Sequence, residues 1–208
     1  MTFNGLKGNL LLSALCVLIL LPAVLGAQEQ TAAVGSPAPD FELLSIDGKT
    51  HKLSDFSGKI VALEWTNPGC PVVQRHYRNG LMPALQAECT GKGVVWLTIN
   101  STNPSHPNYK TPDALKTIYS DWKAAFTALL MDADGKAGKA FGAKTTPHMF
   151  VLDKDGKLAY NGAVDDDPQG SKETRVNYVK LAVDSLIKGE PIGTSTTKPY
   201  GCSVKYAE

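Results

Sequence analysis

At 208 residues the chain is long enough for one domain with a sizeable core, and its 21 Lys+Arg face 20 Asp+Glu, a net charge of +1. That balance excludes the strongly basic surface of a nucleic-acid binder and the polybasic patch drawn to anionic lipid. Four cysteines are too few for a disulfide-stapled scaffold, and their spacing resembles no zinc site.

Residues 1–27 hold one charged side chain, Lys7. An apolar run from Leu10 to Leu25 follows, interrupted by Ser13 and Pro22, and the small residues Gly26 and Ala27 close it. This pattern predicts a secretory signal peptide. A retained membrane anchor is the alternative, but the run falls short of the roughly 20 apolar residues a spanning helix needs. Cys16 follows Leu15, which is too large for the usual residue at a lipoprotein cleavage site. The expected product is secreted across the inner membrane and periplasmic. Without Lys7 it carries 20 basic and 20 acidic side chains, with no call for nucleic acid and no stable membrane span. Cys70, Cys89 and Cys202 remain in an oxidising compartment, where an odd count allows one intramolecular pair at most.

The predicted elements then follow in order. Residues 28–39 are a loose lead-in. Phe41–Leu44 reads as a short strand, Asp47-Gly48 as a turn and Thr50–Leu53 as the returning strand. Ser54–Gly58 reads as a helical turn. Ile60–Trp65 is an apolar, β-branched run of the right length for a buried strand. The turn formers Thr66–Gly69 come next, then Cys70-Pro71 opening a helix that the spacing of Val73, Tyr77, Leu81, Ala84 and Leu85 carries to about Glu88, with Gly80 and Pro83 as possible breaks. Val94–Ile99 is a second buried strand. Asn100–Lys110 is a polar loop, and Thr111-Pro112 starts a helix. Phe126–Met131 is the next strand, Lys136–Phe141 one or two helical turns, and Met149–Leu152 and Lys157–Tyr160 a hairpin. A last helix spans Lys172–Lys188, and an irregular tail follows from Gly189. The alternation predicts an α/β layer structure with a central mixed sheet flanked by helices.

Cys70 carries the chemistry this pattern suggests. Proline suits the first helical position, so Cys70 falls at a helix N-terminus, where unpaired N–H groups and the dipole favour a thiolate. The alternative is a small buried hydrophobe. Glu64, inside the apolar strand, is either a buried proton acceptor with a raised pKa or a partly exposed, salt-bridged position. Thr146-Pro147 precedes a strand, and a cis-proline there would set backbone groups against a partner. His148 is expected to be exposed or to line the site. Arg75 and His76 are expected on the solvated side of the helix, with Arg75 as a possible thiolate partner. Asp132–Gly135 and Asp153–Gly156 read as turns, because neither continues as a calcium loop. Asp165–Asp167 reads as a solvated loop, Asn100–Thr102 as a chance glycosylation pattern and Cys89 as incidental.

These residues resemble the thioredoxin superfamily, in its exported redoxin branch related to alkyl hydroperoxide reductase and thiol-specific antioxidant proteins. The resemblance covers residues 34–188 and rests on Gly35–Phe41, Glu64-Trp65, Cys70, Asp132–Gly135 and Thr146-Pro147. The ending Pro199–Lys205 resembles that of a peroxiredoxin-like group. The organisation it implies is a signal peptide over 1–27, a thioredoxin-like domain over 34–188 and a tail over 189–208. Val73 stands where a thioredoxin has its second cysteine, and Leu63 and Asn67 stand where a peroxiredoxin has its Pro and Thr. The implied function is a thiol–disulfide oxidoreductase with Cys70 as nucleophile, Glu64 assisting proton transfer, and Thr146 and Pro147 holding the partner. Cys202 is the expected resolving thiol, within one chain or across a dimer, because Cys89 lies at the far end of the helix that Cys70 begins. The partners implied are a protein thiol or disulfide and a thiol electron donor, with no metal or organic cofactor. A hydroperoxide reductase and a non-catalytic binding module are the alternatives.

The exported protein is expected to begin near Gln28. N-terminal sequencing that returns Met1 would count against the leader.

Overall fold

The computed structural model describes residues 1–2 and 31–207. The predicted leader, with Lys7, Cys16 and the Gly26-Ala27 cleavage region, lies outside the described residues apart from residues 1–2. Among the described residues no helix is long and apolar enough to cross a membrane.

The strand predicted at the centre is there. β3 (Val61–Trp65) lies parallel to β4 (Val95–Asn100) and antiparallel to β7 (His148–Leu152). All five of its side chains are buried, which is why the run reads as continuously apolar. Around it a mixed sheet runs β2-β1-β5-β4-β3-β7-β8, with β1 (Glu42–Ser45), β2 (Thr50–Lys52), β5 (Ala128–Met131) and β8 (Leu158–Gly162). The parallel steps β3–β4 and β4–β5 are bridged by α1 (Pro71–Arg78) with α2 (Leu81–Gly91), and by α3 (Pro112–Asp121).

Strand alternation sorts β3 between two cores. Val61, Leu63 and Trp65 join Leu97, Phe141, Phe150 and Leu158 on the side of α4 (Lys136–Phe141). Ala62 faces the other core, built with α1, α2, α3 and α5 (Tyr178–Lys188) around Cys70, Tyr77, Trp96, Tyr119 and Val183. By the same alternation Glu64 belongs to the Cys70 side of the sheet.

Three expectations change. The single helix after Cys70 is two, and the break falls at Gly80 (φ 79°) rather than at Pro83. Glycine takes the left-handed conformation without a Cβ clash, whereas Pro83 sits in the first turn of α2, where its missing N–H costs nothing. The last helix starts at Tyr178, not Lys172, because Asn177 caps it through Lys180 N (2.9 Å). The tail is largely without regular structure, as expected, but it is pinned along its length. Asn161 N donates to Ser195 O (3.0 Å), Val204 N to Lys144 O (3.1 Å) and Asn103 N to Lys205 O (2.8 Å). Two short strands that the sequence reading lacked, β6 (Thr145–Thr146) and β9 (Cys202–Ser203), pair antiparallel.

Phe150 holds the α4-side core together, with its ring against Trp65 (5.1 Å) and Phe141 (5.4 Å). Phe150→Ala is expected to cost about 3–5 kcal/mol of stability. The shift in denaturant midpoint measures it, and a loss under about 1 kcal/mol would contradict this packing.

Candidate active site

Cys70 is the N-cap of α1, with extended backbone and Pro71 at the first helical position. It is 1% exposed, and its Sγ–H donates to the Thr146 carbonyl (3.1 Å). Thr146 precedes Pro147 through a cis peptide bond. The same Thr146 pairs with Cys202 across β6 and β9, so the tail carries a second sulfur to the first. No disulfide joins the two.

The two sulfurs divide their proton unequally. Burial works to raise Cys70, but donors outweigh it: the Cys202 thiol, the Val73 and Cys202 N–H groups and the Thr146 hydroxyl hold it below the ordinary thiol value. Cys202 is pushed up to about 11 by burial, by its hydrogen bond to Cys70 and by the Cys70 charge. Cys70 is therefore the more acidic sulfur of the pair, with the Cys202 thiol as an adjacent donor. Cys89 sits apart at the end of α2, buried and raised to about 11 by burial first.

Glu64 is fully buried and accepts from Tyr77 OH (2.9 Å), Gln86 Nε2 (3.0 Å), Trp96 Nε1 (3.0 Å) and Thr98 Oγ1 (3.2 Å). Burial raises it to about 7 and those donors restrain the rise. No hydrogen bond joins Glu64 to Cys70. Tyr119 lies within reach of both charges, and its OH bonds Thr66 Oγ1 (2.7 Å).

Several neighbours stand elsewhere than expected. His76 is buried, not solvated, with Nε2 3.1 Å from Tyr200 OH, and burial first lowers it to about 4. Tyr200 OH also donates to Asp165 Oδ1. Arg75, expected as a partner for Cys70, instead donates to the carbonyl of Pro168 (2.8 Å). Asp165 and Asp167 are buried, not part of a solvated loop; Asp167 takes Ser171 N (2.9 Å) and Arg175 (3.2 Å). His148 is buried too, between Asn161 Oδ1 (2.8 Å) and Lys144 N (3.0 Å). Asn100 is 2% exposed, so its glycosylation pattern is closed. The spacing of His76 three residues after Val73, on the apolar face, was the signal for its burial. Tyr200 had no comparable signal, since nothing periodic marks the tail.

Residues 34–161 match the family model described as AhpC/TSA family. The chain is 30% identical over 152 residues to the thiol-disulfide oxidoreductase ResA of Geobacillus thermodenitrificans, covering 68% of this chain and 80% of that one. Its structure is similar to that of a hypothetical protein from Sinorhizobium meliloti 1021, at TM-score 0.76 and 25% identity over 86% of this chain and 97% of that one. It is also similar to a proposed thiol:disulfide interchange protein DsbE from Chlorobium tepidum, at TM-score 0.52 and 28% identity over 63% of this chain and 85% of that one.

Glu64 predicts a pH dependence of stability. The folded protein holds this proton to about pH 7, while the unfolded chain releases it near 4.5. The contribution is full below pH 4.5 and is lost as pH rises through about 7, roughly 3 kcal/mol in all. Glu64→Gln is expected to flatten that decline in urea midpoints taken across the window. A variant with the slope intact would show that another group sets it.

Proposed function

The chain belongs to the AhpC/TSA family, and from that premise we propose that Cys70 is the redox nucleophile of an exported enzyme and Cys202 its resolving thiol. Its activity class is that of a thiol–disulfide oxidoreductase, and its fold is thioredoxin-like. The observation that carries the assignment of the two cysteines is the backbone pairing of Cys202 with Thr146, beside a Cys70 whose thiolate it helps to hold.

The Cys70 thiolate attacks one sulfur of a partner's disulfide. That S–S bond breaks, the partner's other sulfur leaves with the electron pair, and a mixed disulfide forms. Cys202 loses its proton and attacks the Cys70 sulfur. The partner leaves with both cysteines reduced, and Cys70 and Cys202 are joined. A thiol donor then reduces that bond. Electrons pass only between sulfurs, so the cycle needs no metal or organic cofactor. Thr146 and Pro147 hold the partner segment, and Glu64 serves as a buried proton acceptor behind the site. The organisation proposed with this cycle is a leader over 1–27, a redoxin domain over 34–188 and a tail over 189–208, in a periplasmic protein.

The hydroperoxide alternative gains no support from Arg75, which is engaged with the Pro168 carbonyl. The binding-module alternative leaves the donors around the Cys70 thiolate without a purpose.

Oxidation with hydroxyethyl disulfide followed by non-reducing peptide mapping is expected to yield a Cys70–Cys202 disulfide within one chain, with Cys89 free. Cys70–Cys70 dimers with Cys202 left as a thiol would remove Cys202 from the cycle.

A further inference from the structure

The tail lies across Cys70 as an extended strap, and the surface beneath it is shaped to take it. Thr197 Oγ1 accepts from Ala163 N (2.9 Å) over Gly162, where any Cβ would overlap it. Tyr206 covers Gly138 in the same way, and its OH donates to Ala143 O (2.8 Å). Between these anchors three positions meet the reactive centre. Cys202 pairs with Thr146. Gly201, at φ 131°, lies so close that a Cβ would overlap the Thr146 carbonyl oxygen. Tyr200 puts its hydroxyl between His76 Nε2 and Asp165 Oδ1. His76 and Asp165 are each 1% exposed, and His76 Nδ1 and Asp165 Oδ2 have no protein partner. Such a buried cluster is costly unless something polar enters it.

With the strap down Cys70 is 1% exposed, and no protein disulfide can reach it. Resting on the reading of Cys70 as the attacking thiol, we infer that the strap is a tethered stand-in for the partner chain. The site accepts an extended segment with the order aromatic hydroxyl, glycine, cysteine, and the partner enters by displacing residues 195–206. Backbone pairing with Thr146 sets the register. The Thr146 carbonyl excludes a side chain just before the cysteine. His76 and Asp165 read the hydroxyl one residue earlier. The tether keeps the strap at high effective concentration, so a partner's apparent affinity is reduced by the fraction of time the strap is up.

The test uses the full chain carrying Cys202→Ser, so that the mixed disulfide persists. Three synthetic peptides, Tyr-Gly-Cys, Ala-Gly-Cys and Tyr-Val-Cys in an otherwise common sequence, carry 2-nitro-5-thiobenzoate on the cysteine. Cysteine itself with the same group is the small control. The Cys70 thiolate attacks the cysteine sulfur, the bond to the aryl sulfur breaks, and the coloured aryl thiolate leaves with the electron pair. The Tyr-Gly-Cys peptide is expected to react about tenfold faster than the other two, because one lacks the buried hydroxyl contacts to His76 and Asp165 and the other sets a side chain against the Thr146 carbonyl. Adding Gly201→Val is expected to speed all three by a similar factor, with hydrogen-exchange protection lost at Thr197 and Val204 but kept in β3 and β4. Tyr200→Phe, which releases the strap without added volume, is expected to act in the same direction. Equal rates for the three peptides, or peptide rates unmoved by both strap variants, would overturn the inference alone. Failure of the small control to release colour from the Gly201→Val protein would overturn it together with the role of Cys70.

Discussion

The burial of β3 on both faces is the constraint on which the rest depends. A strand with no solvated side must send alternate residues into two cores, and Val61–Trp65 does so. The arrangement forces Glu64 into the interior on the side where α1 packs. A carboxyl there is tolerable because Tyr77, Gln86, Trp96 and Thr98 all donate to it. Its raised pKa follows from burial that these donors only partly offset.

The end of the same strand fixes where Cys70 sits. β3 runs into the Thr66–Gly69 turn, where Asn67 Oδ1 accepts from Gly69 N (2.7 Å), and the chain enters α1 with Cys70 as its cap. Across the sheet, the antiparallel neighbour β7 follows Thr146-Pro147. Two adjacent elements therefore bring a helix N-terminus and a free backbone edge to one point. The tail fills that edge and supplies the second sulfur. The Cys202 thiol donates to the Cys70 sulfur, and that one hydrogen bond lowers Cys70 while adding to the burial that raises Cys202.

Local chemistry made much of this legible. The Cys70-Pro71 helix start, the Thr111 cap of α3 and the hairpin at Asp153–Gly156 each depend on a few consecutive residues. The break between α1 and α2 was half legible: Gly80 and Pro83 both stood as breakers, and only the backbone conformation chose between them. His76, Asp165 and Asp167 were misplaced because charge alone was taken to mean exposure. Tyr200 reaches His76 and Asp165 from the tail, and Arg175 folds back over Asp167 from the following loop.

The sequence by itself determined the alternation of strands and helices, the position of Cys70 at a helix start and the presence of a carboxylate within a buried strand. Those follow from hydrophobic period and from backbone preferences that act over a few residues. Tertiary structure alone decided the path along which the tail is pinned and which polar side chains leave water. Such contacts join residues far apart in the chain, as Tyr200 joins His76, and no local preference encodes them. They arise when the segment leading into β7 presents unpaired backbone at Thr145–Thr146 and the tail can satisfy its hydrogen bonds there.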